Sequence, residues 1–169
     1  MLGAAAPDVI VFGCTSAVAL VGRDRIEDGI REVLRGVEVL DPLLAMADNM
    51  RGRGIERIAL VTPYGADISQ ALARWLERAG FEIADDIRIE SDASRYADIP
   101  TGVISATAGR SRGSTAEAVV IACTGLRAVE AIEQIEDRTH LPVVTSNQAL
   151  AWAVLQALTR EEGGSRAPD

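Results

Sequence analysis

Val9-Ile10-Val11-Phe12-Gly13-Cys14-Thr15-Ser16 is a short apolar run that ends in a glycine, a cysteine and two hydroxyl residues. Consecutive apolar residues, mostly β-branched, read as a fully buried strand over 9–12. Helical periodicity begins near Thr15, so the unit is strand, turn, helix. The pattern recurs at Ala118-Val119-Val120-Ile121-Ala122-Cys123-Thr124-Gly125. These two stretches hold the only two cysteines of the chain, Cys14 and Cys123. Each is expected where a buried strand ends and a helix begins, and the pair is expected to face one site.

The rest of the chain repeats this alternation. The first helix is interrupted at Gly22 and resumes from Asp24 with Ile26, Ile30, Val33 and Leu34 on one face, closing at Gly36. A strand over 37–40 meets Asp41-Pro42, an N-cap and first-turn proline for a helix that stops near 52–54. A buried strand over 57–61 ends in Thr62-Pro63-Tyr64-Gly65, and a helix follows over 66–79. Residues 81–89 alternate apolar and polar, as an edge strand does. A polar loop is expected over 91–100, a helix over 101–108 and a mobile Gly/Ser/Arg-rich segment over 109–115. The second cysteine strand precedes a helix over 127–138, a strand over 141–145 and a helix over 147–158. That last helix is apolar almost all round and is expected between layers. Residues 161–169 read as a disordered polar tail. Such alternation implies right-handed βαβ units, a mostly parallel sheet with helices on both faces, and ligands beyond the carboxyl ends of the strands.

Composition narrows the function classes. A length of 169 residues and 48% apolar content support a real core, and 4% aromatics mean that it is built from Ala, Val, Ile and Leu. A net charge of −8 argues against a nucleic-acid or anionic-membrane surface. Two cysteines do not make a disulfide framework, and neither has a Cys or His at metal-ligand spacing. No run approaches the ~20 apolar residues of a membrane span, and residues 1–6 lack the basic start of a signal peptide. The cytoplasm is the expected compartment. No glycine-rich phosphate loop follows any strand, so no nucleotide cofactor is expected.

The strand ends carry the chemistry. Amides at a helix N-terminus can stabilise a thiolate, a carboxylate or an enolate. Two cysteines flanking a bound carboxylate suit two-base proton transfer at the α-carbon. They equally suit addition of one thiolate to an activated double bond while the other moves the proton. Each could instead be a small buried hydrophobe. Thr15, Ser16 and Thr124 are hydroxyl donors for carboxylate oxygens, or helix caps. Tyr64 places a phenol at a strand end. His140, at a helix-to-strand junction, reads as structural. Arg127, Arg110 and Arg112 read as solvated.

Gly13-Cys14-Thr15-Ser16, Leu60-Val61-Thr62-Pro63-Tyr64, Cys123-Thr124-Gly125-Leu126-Arg127 and the run from Pro142 through Asn147 to Trp152 together resemble the aspartate/glutamate racemase superfamily, in its maleate cis-trans isomerase and arylmalonate decarboxylase branch. The resemblance implies two Rossmann-like (flavodoxin-like) parallel α/β lobes related by a pseudo-two-fold. Residues 1–44 plus 146–169 would form the N-terminal-type lobe and 45–145 the second. It implies no cofactor and no metal, and a small carboxylate or dicarboxylate substrate. Cys14 would be the nucleophile, Cys123 the proton donor or acceptor and Tyr64 a third catalytic group, with Thr15, Ser16, Pro63, Thr124 and Gly125 binding substrate. Having both cysteines favours cis-trans isomerisation over decarboxylation. Gly125, where amino-acid racemases of the superfamily carry a histidine, lowers that option. A racemase or decarboxylase acting at an α-carbon, or a non-catalytic α/β domain, is the alternative. Similar proteins also occur in ectoine-utilisation gene sets. Relatives carry βα structure ahead of the first cysteine strand, so the N-terminal lobe is expected to be incomplete, with an apolar edge that favours a homo-oligomer. They also offer the substrate an asparagine after the 81–89 strand, where 91–96 has none and Asp92 would repel a carboxylate.

Overall fold

Two parallel sheets carry the chain in the computed structural model, which describes residues 7–90 and 95–164. The smaller pairs β1 (Val9–Val11) with β2 (Glu38–Leu40) in the register Val9 to Glu38 through Val11 to Leu40. Between them run α1 (Thr15–Val21) and α2 (Arg23–Arg31), divided at Gly22, whose φ of 91° suits glycine. The larger sheet has the order β4-β3-β5-β6. Its strands are β3 (Arg57–Thr62), β4 (Glu82–Arg88), β5 (Ala118–Ile121) and β6 (Val143–Thr145). All of their pairings are parallel. Ala84 is an extra residue in β4, where the register shifts between Ile58 and Ala59.

The core lies on this larger sheet. β5, an inner strand, is buried throughout, and so is β6 at the sheet edge, which α3, α6 and α7 cover. Over them pack α3 (Pro42–Gly52), α4 (Ala66–Arg78), α5 (Thr101–Ala108), α6 (Ile132–Thr139) and α7 (Ser146–Gly164). Leu43, Met46 and Met50 of α3 and Leu72 and Leu76 of α4 are fully buried, each worth roughly 1.5–3 kcal/mol of transfer free energy. α7 packs on α3 and also touches β1, β2 and β6, so it meets both sheets. The expected N-cap is present: Asp41 accepts from the Leu43 and Leu44 amides. Among the described residues no helix is long and apolar enough to cross a membrane.

Several expectations are corrected. β1 is only half-buried, and Val11 is 43% exposed, because among the described residues it has one neighbouring strand. α2 buries none of its residues and ends at Arg31, leaving Val33 in solvent at 76% exposure. The segment expected to be mobile opens as a 3-10 turn, Gly109–Ser111, in which the buried Ser111 donates to the Ala108 carbonyl. Cys123 is not followed directly by a helix: Ala128–Ala131 is a 3-10 turn and α6 starts only at Ile132. α7 is not enclosed, since Trp152, Leu155 and Leu158 face outward. It continues to residue 164, through the start of the expected tail. The rest of that tail, residues 91–94 of the expected loop with Asp92, and the start over 1–6 lie outside the described residues.

Candidate active site

β1 and β5 end side by side, and their turns are tied together. Thr124 Oγ1 donates to the Gly13 carbonyl at 2.8 Å, joining the second Cys-Thr turn to the first. Thr15 is fully buried, with Oγ1 3.3 Å from Ser146 Oγ at the start of α7. Ser146 in turn reaches the Ile121 carbonyl at 3.5 Å and Met46 Sδ at 3.4 Å. Both hydroxyls, expected on substrate, bond the crevice's own walls. Thr124 remains partly exposed, whereas Thr15 does not.

Cys14 is the half-buried N-cap of α1, and its Sγ lies 3.5 Å from Ser16 Oγ. Cys123 is only 3% exposed. Its sulfur lies near the Tyr64 hydroxyl and the Gly125 and Leu126 amides, whose dipoles favour the thiolate. Tyr64, carried with the half-buried Pro63 just past β3, is 6% exposed, and Ser16 on the Cys14 turn lies near its hydroxyl. The phenol thus stands between the two cysteine turns. Cys14, Ser16, Tyr64, Cys123 and Gly125 form one cluster drawn from both sheets.

Burial dominates the electrostatics. It pushes the Cys123 thiol above its ordinary value of 9.0, and charge on Cys14 adds to the rise. The Tyr64 hydroxyl and the two amides oppose it without winning. The expected amide-stabilised thiolate is outweighed at Cys123 by burial. Tyr64 is raised well above its ordinary 10.0, first by burial and then by the Cys123 sulfur, with Ser16 pulling it back. Both shifts favour the neutral group in the fold. Their stabilisation is present below the unfolded-state values and is lost as pH rises through the folded ones. Alkylation needs thiolate, so site-resolved iodoacetamide labelling of Cys123 is expected to be slow at neutral pH and to climb only above pH 9.0. A midpoint below that value would contradict this account.

The other singled-out residues lie apart. His140 ends α6 in the left-handed region at φ 60°, its N–H bonded to the Glu136 carbonyl at 2.8 Å. Arg127 is exposed and sits 3.6 Å from Glu130. Arg110 and Arg112 are exposed as well. Among the described residues no three His, Cys, Asp or Glu side chains cluster as a metal site would.

Two residues in the cluster carried no functional expectation. Asn147 Nδ2 donates to the Thr124 and Leu126 carbonyls at 3.2 and 3.4 Å, fixing the turn whose amides meet Cys123. Its signal was a polar residue in the first turn of the helix that follows a buried strand. Tyr96 packs its ring on Tyr64; its signal was an aromatic residue in a polar loop of a chain with 4% aromatics.

Comparison with known proteins places this geometry among relatives. The family described as arylmalonate decarboxylase matches residues 36–167. A maleate isomerase of Nocardia farcinica is 30% identical over 163 residues, which is 91% of this chain and 65% of that protein. A solved structure of Nocardia farcinica maleate cis-trans isomerase bound to TRIS superposes with a TM-score of 0.83 at 28% identity, covering 93% of this chain and 68% of that one. A mutant of the same isomerase with a covalently bound succinylcysteine intermediate gives 0.82 at 26% identity, covering 92% and 67%. The chain spans about 65% of the length of the curated maleate isomerases it matches.

Proposed function

Because the chain belongs to the arylmalonate decarboxylase family, we propose that it is a cofactor-independent cis-trans isomerase of a small maleate-like dicarboxylate. One observation carries this reading. The two Cys-Thr turns, from different sheets, meet at one crevice, where the Thr124 hydroxyl beside Cys123 donates to the Gly13 carbonyl beside Cys14 at 2.8 Å.

The roles follow from the environments. Cys14 is the more accessible sulfur, and as thiolate it forms an S–C bond to one alkene carbon. Cys123 is held as a thiol, so its S–H gives a proton to the other carbon as the π pair moves there. The former double bond is now single and rotates. The Cys123 thiolate then takes a proton back from that carbon, the double bond re-forms in the trans arrangement, and the S–C bond breaks. Both sulfurs return to their starting states without redox change. The Tyr64 hydroxyl and the exposed Thr124–Gly125 edge hold carboxylate oxygens, and Ser16 and Pro63 shape the opposite rim. The succinylcysteine intermediate of the related isomerase supports such an adduct.

A second reading, proton delivery to an α-carbanion after decarboxylation or in racemisation, is favoured by the protonated state of Cys123 alone. The two free thiols fit a reducing compartment such as the cytoplasm. The outward Val11, Leu20, Val21 and Trp152 fit association of copies.

Incubation with maleate is expected to yield fumarate and, after an acid quench, one maleate mass added on the Cys14 peptide. Deuterium from heavy water entering an arylmalonate or α-substituted acid, with no turnover of maleate and no adduct, would sink the isomerase reading in favour of the second.

A further inference from the structure

Tyr96 lies on the 3-10 turn Tyr96–Asp98, and three contacts bring it to the Cys123 side of the crevice. Its ring meets the Tyr64 ring edge to face, with centroids 5.4 Å apart and planes at 86°. It also covers Gly125: a Cβ there would sit 3.4 Å from Tyr96 Cβ, 3.5 Å from its Cδ2 and 3.6 Å from Cys123 Sγ. The ring, the glycine and the thiol therefore border one small volume. Burial and charge on Cys123 both raise the Tyr96 hydroxyl above its ordinary value.

The turn beneath the ring is braced. Arg95 and Asp98 form two parallel hydrogen bonds across it at 2.9 and 3.1 Å, and the next residue, Ile99, is buried at 2% exposure. A ring held this way is a fixed wall, although 41% of the residue remains in solvent. A tyrosine ring has two side-chain torsions and little freedom to yield to a bulkier ligand.

We propose that Tyr96 is the specificity-determining residue of the site, limiting the substituent that a small carboxylate can carry on the carbon facing Cys123. The substrate class rests on the isomerase reading; the wall rests on the ring's own contacts. Unsubstituted dicarboxylates fit beside the ring, and α-branched ones meet it.

Site-resolved labelling of Cys123 with iodoacetamide and with the bulkier N-phenylmaleimide tests the wall without any substrate. Y96A is expected to accelerate the bulky reagent about tenfold while changing the small one less than about threefold. Y96F should keep the wild-type ratio of the two rates, and Y96L should fall between, which also serves if Y96A fails to fold. Equal acceleration of both reagents, no acceleration, or a Y96F ratio matching Y96A would overturn the proposal. In turnover, the kcat/KM ratio of 2-methylmaleate to maleate should rise about tenfold in Y96A. An enzyme that turns over maleate but whose ratios ignore Tyr96 defeats this inference alone. A chain with no turnover whose labelling ratio still follows the ring size defeats the isomerase reading and keeps the wall.

Discussion

Cys14→Ala is expected to lower the conversion of maleate to fumarate by about 10³-fold or more, and Cys123→Ala to do nearly the same. The two losses should not add. Each cysteine serves one half of a single event, so the double variant should be little slower than either single one. The variants should remain folded. Cys14 is half-buried and its removal opens little space, and Cys123→Ala removes one small buried group, worth about 1 kcal/mol. Thermal melts and labelling of the remaining cysteine separate lost chemistry from lost structure. The adduct on the Cys14 peptide must vanish in Cys14→Ala. Retention of more than about a tenth of the turnover by either single variant would remove the paired-thiol mechanism. Loss confined to Cys123→Ala would leave only the proton-donor reading.

Much of this arrangement could be read before the coordinates. Period and punctuation located the strands, since a run such as Ala118-Val119-Val120-Ile121 has no alternative once turn residues bound it. Asp41-Pro42 and Gly22 marked helix limits by local chemistry that tertiary packing did not override. The repeat of Cys-Thr after two such strands pointed to neighbouring turns, and Thr124 does bond Gly13 between them, because parallel strands put their carboxyl ends on one side. What escaped depends on long-range partners. The roles of Thr15 and Thr124 turned on Ser146 and Gly13, residues 131 and 111 positions away in sequence. The Cys123 environment turned on burial, which outweighs the Gly125 and Leu126 amides at its sulfur, and how deeply a strand end is covered is not a local property. Exposure was equally illegible. Val33 and Trp152 continue apolar periodicities that read as buried, and whether a partner surface exists opposite them is not a local property.

Asp41→Ala is expected to cost about 3 kcal/mol of stability, through two losses at one carboxylate. Oδ1 accepts the Leu43 and Leu44 amides at 2.9 and 3.0 Å, and a lost cap is worth about 1 kcal/mol. Oδ2 pairs with the Arg23 guanidinium, which also donates to the Val39 carbonyl at 3.1 Å. Asp41 is 3% exposed and the Arg23 side chain 27%. The arginine can recover part of its hydration and keeps Glu27 at 3.3 Å, so its share stays near 2 kcal/mol, below the loss for a sealed pair. Asp41→Asn keeps a capping oxygen and drops the charge, so it should cost roughly half as much. Urea midpoints at neutral pH measure both. Equal costs would show that the charge contributes nothing, and a loss under about 1 kcal/mol for Asp41→Ala would reduce the residue to an ordinary cap. The consequence extends to the thiols. Asp41 starts α3, α3 carries Met46 against Ser146, and Ser146 holds Thr15 beside Cys14. An α3 with a frayed start should therefore loosen the Cys14 turn. Cys14 alkylation in Asp41→Ala is expected to quicken at denaturant concentrations below the unfolding transition, while Cys123, anchored by β5 and Asn147, keeps its native rate.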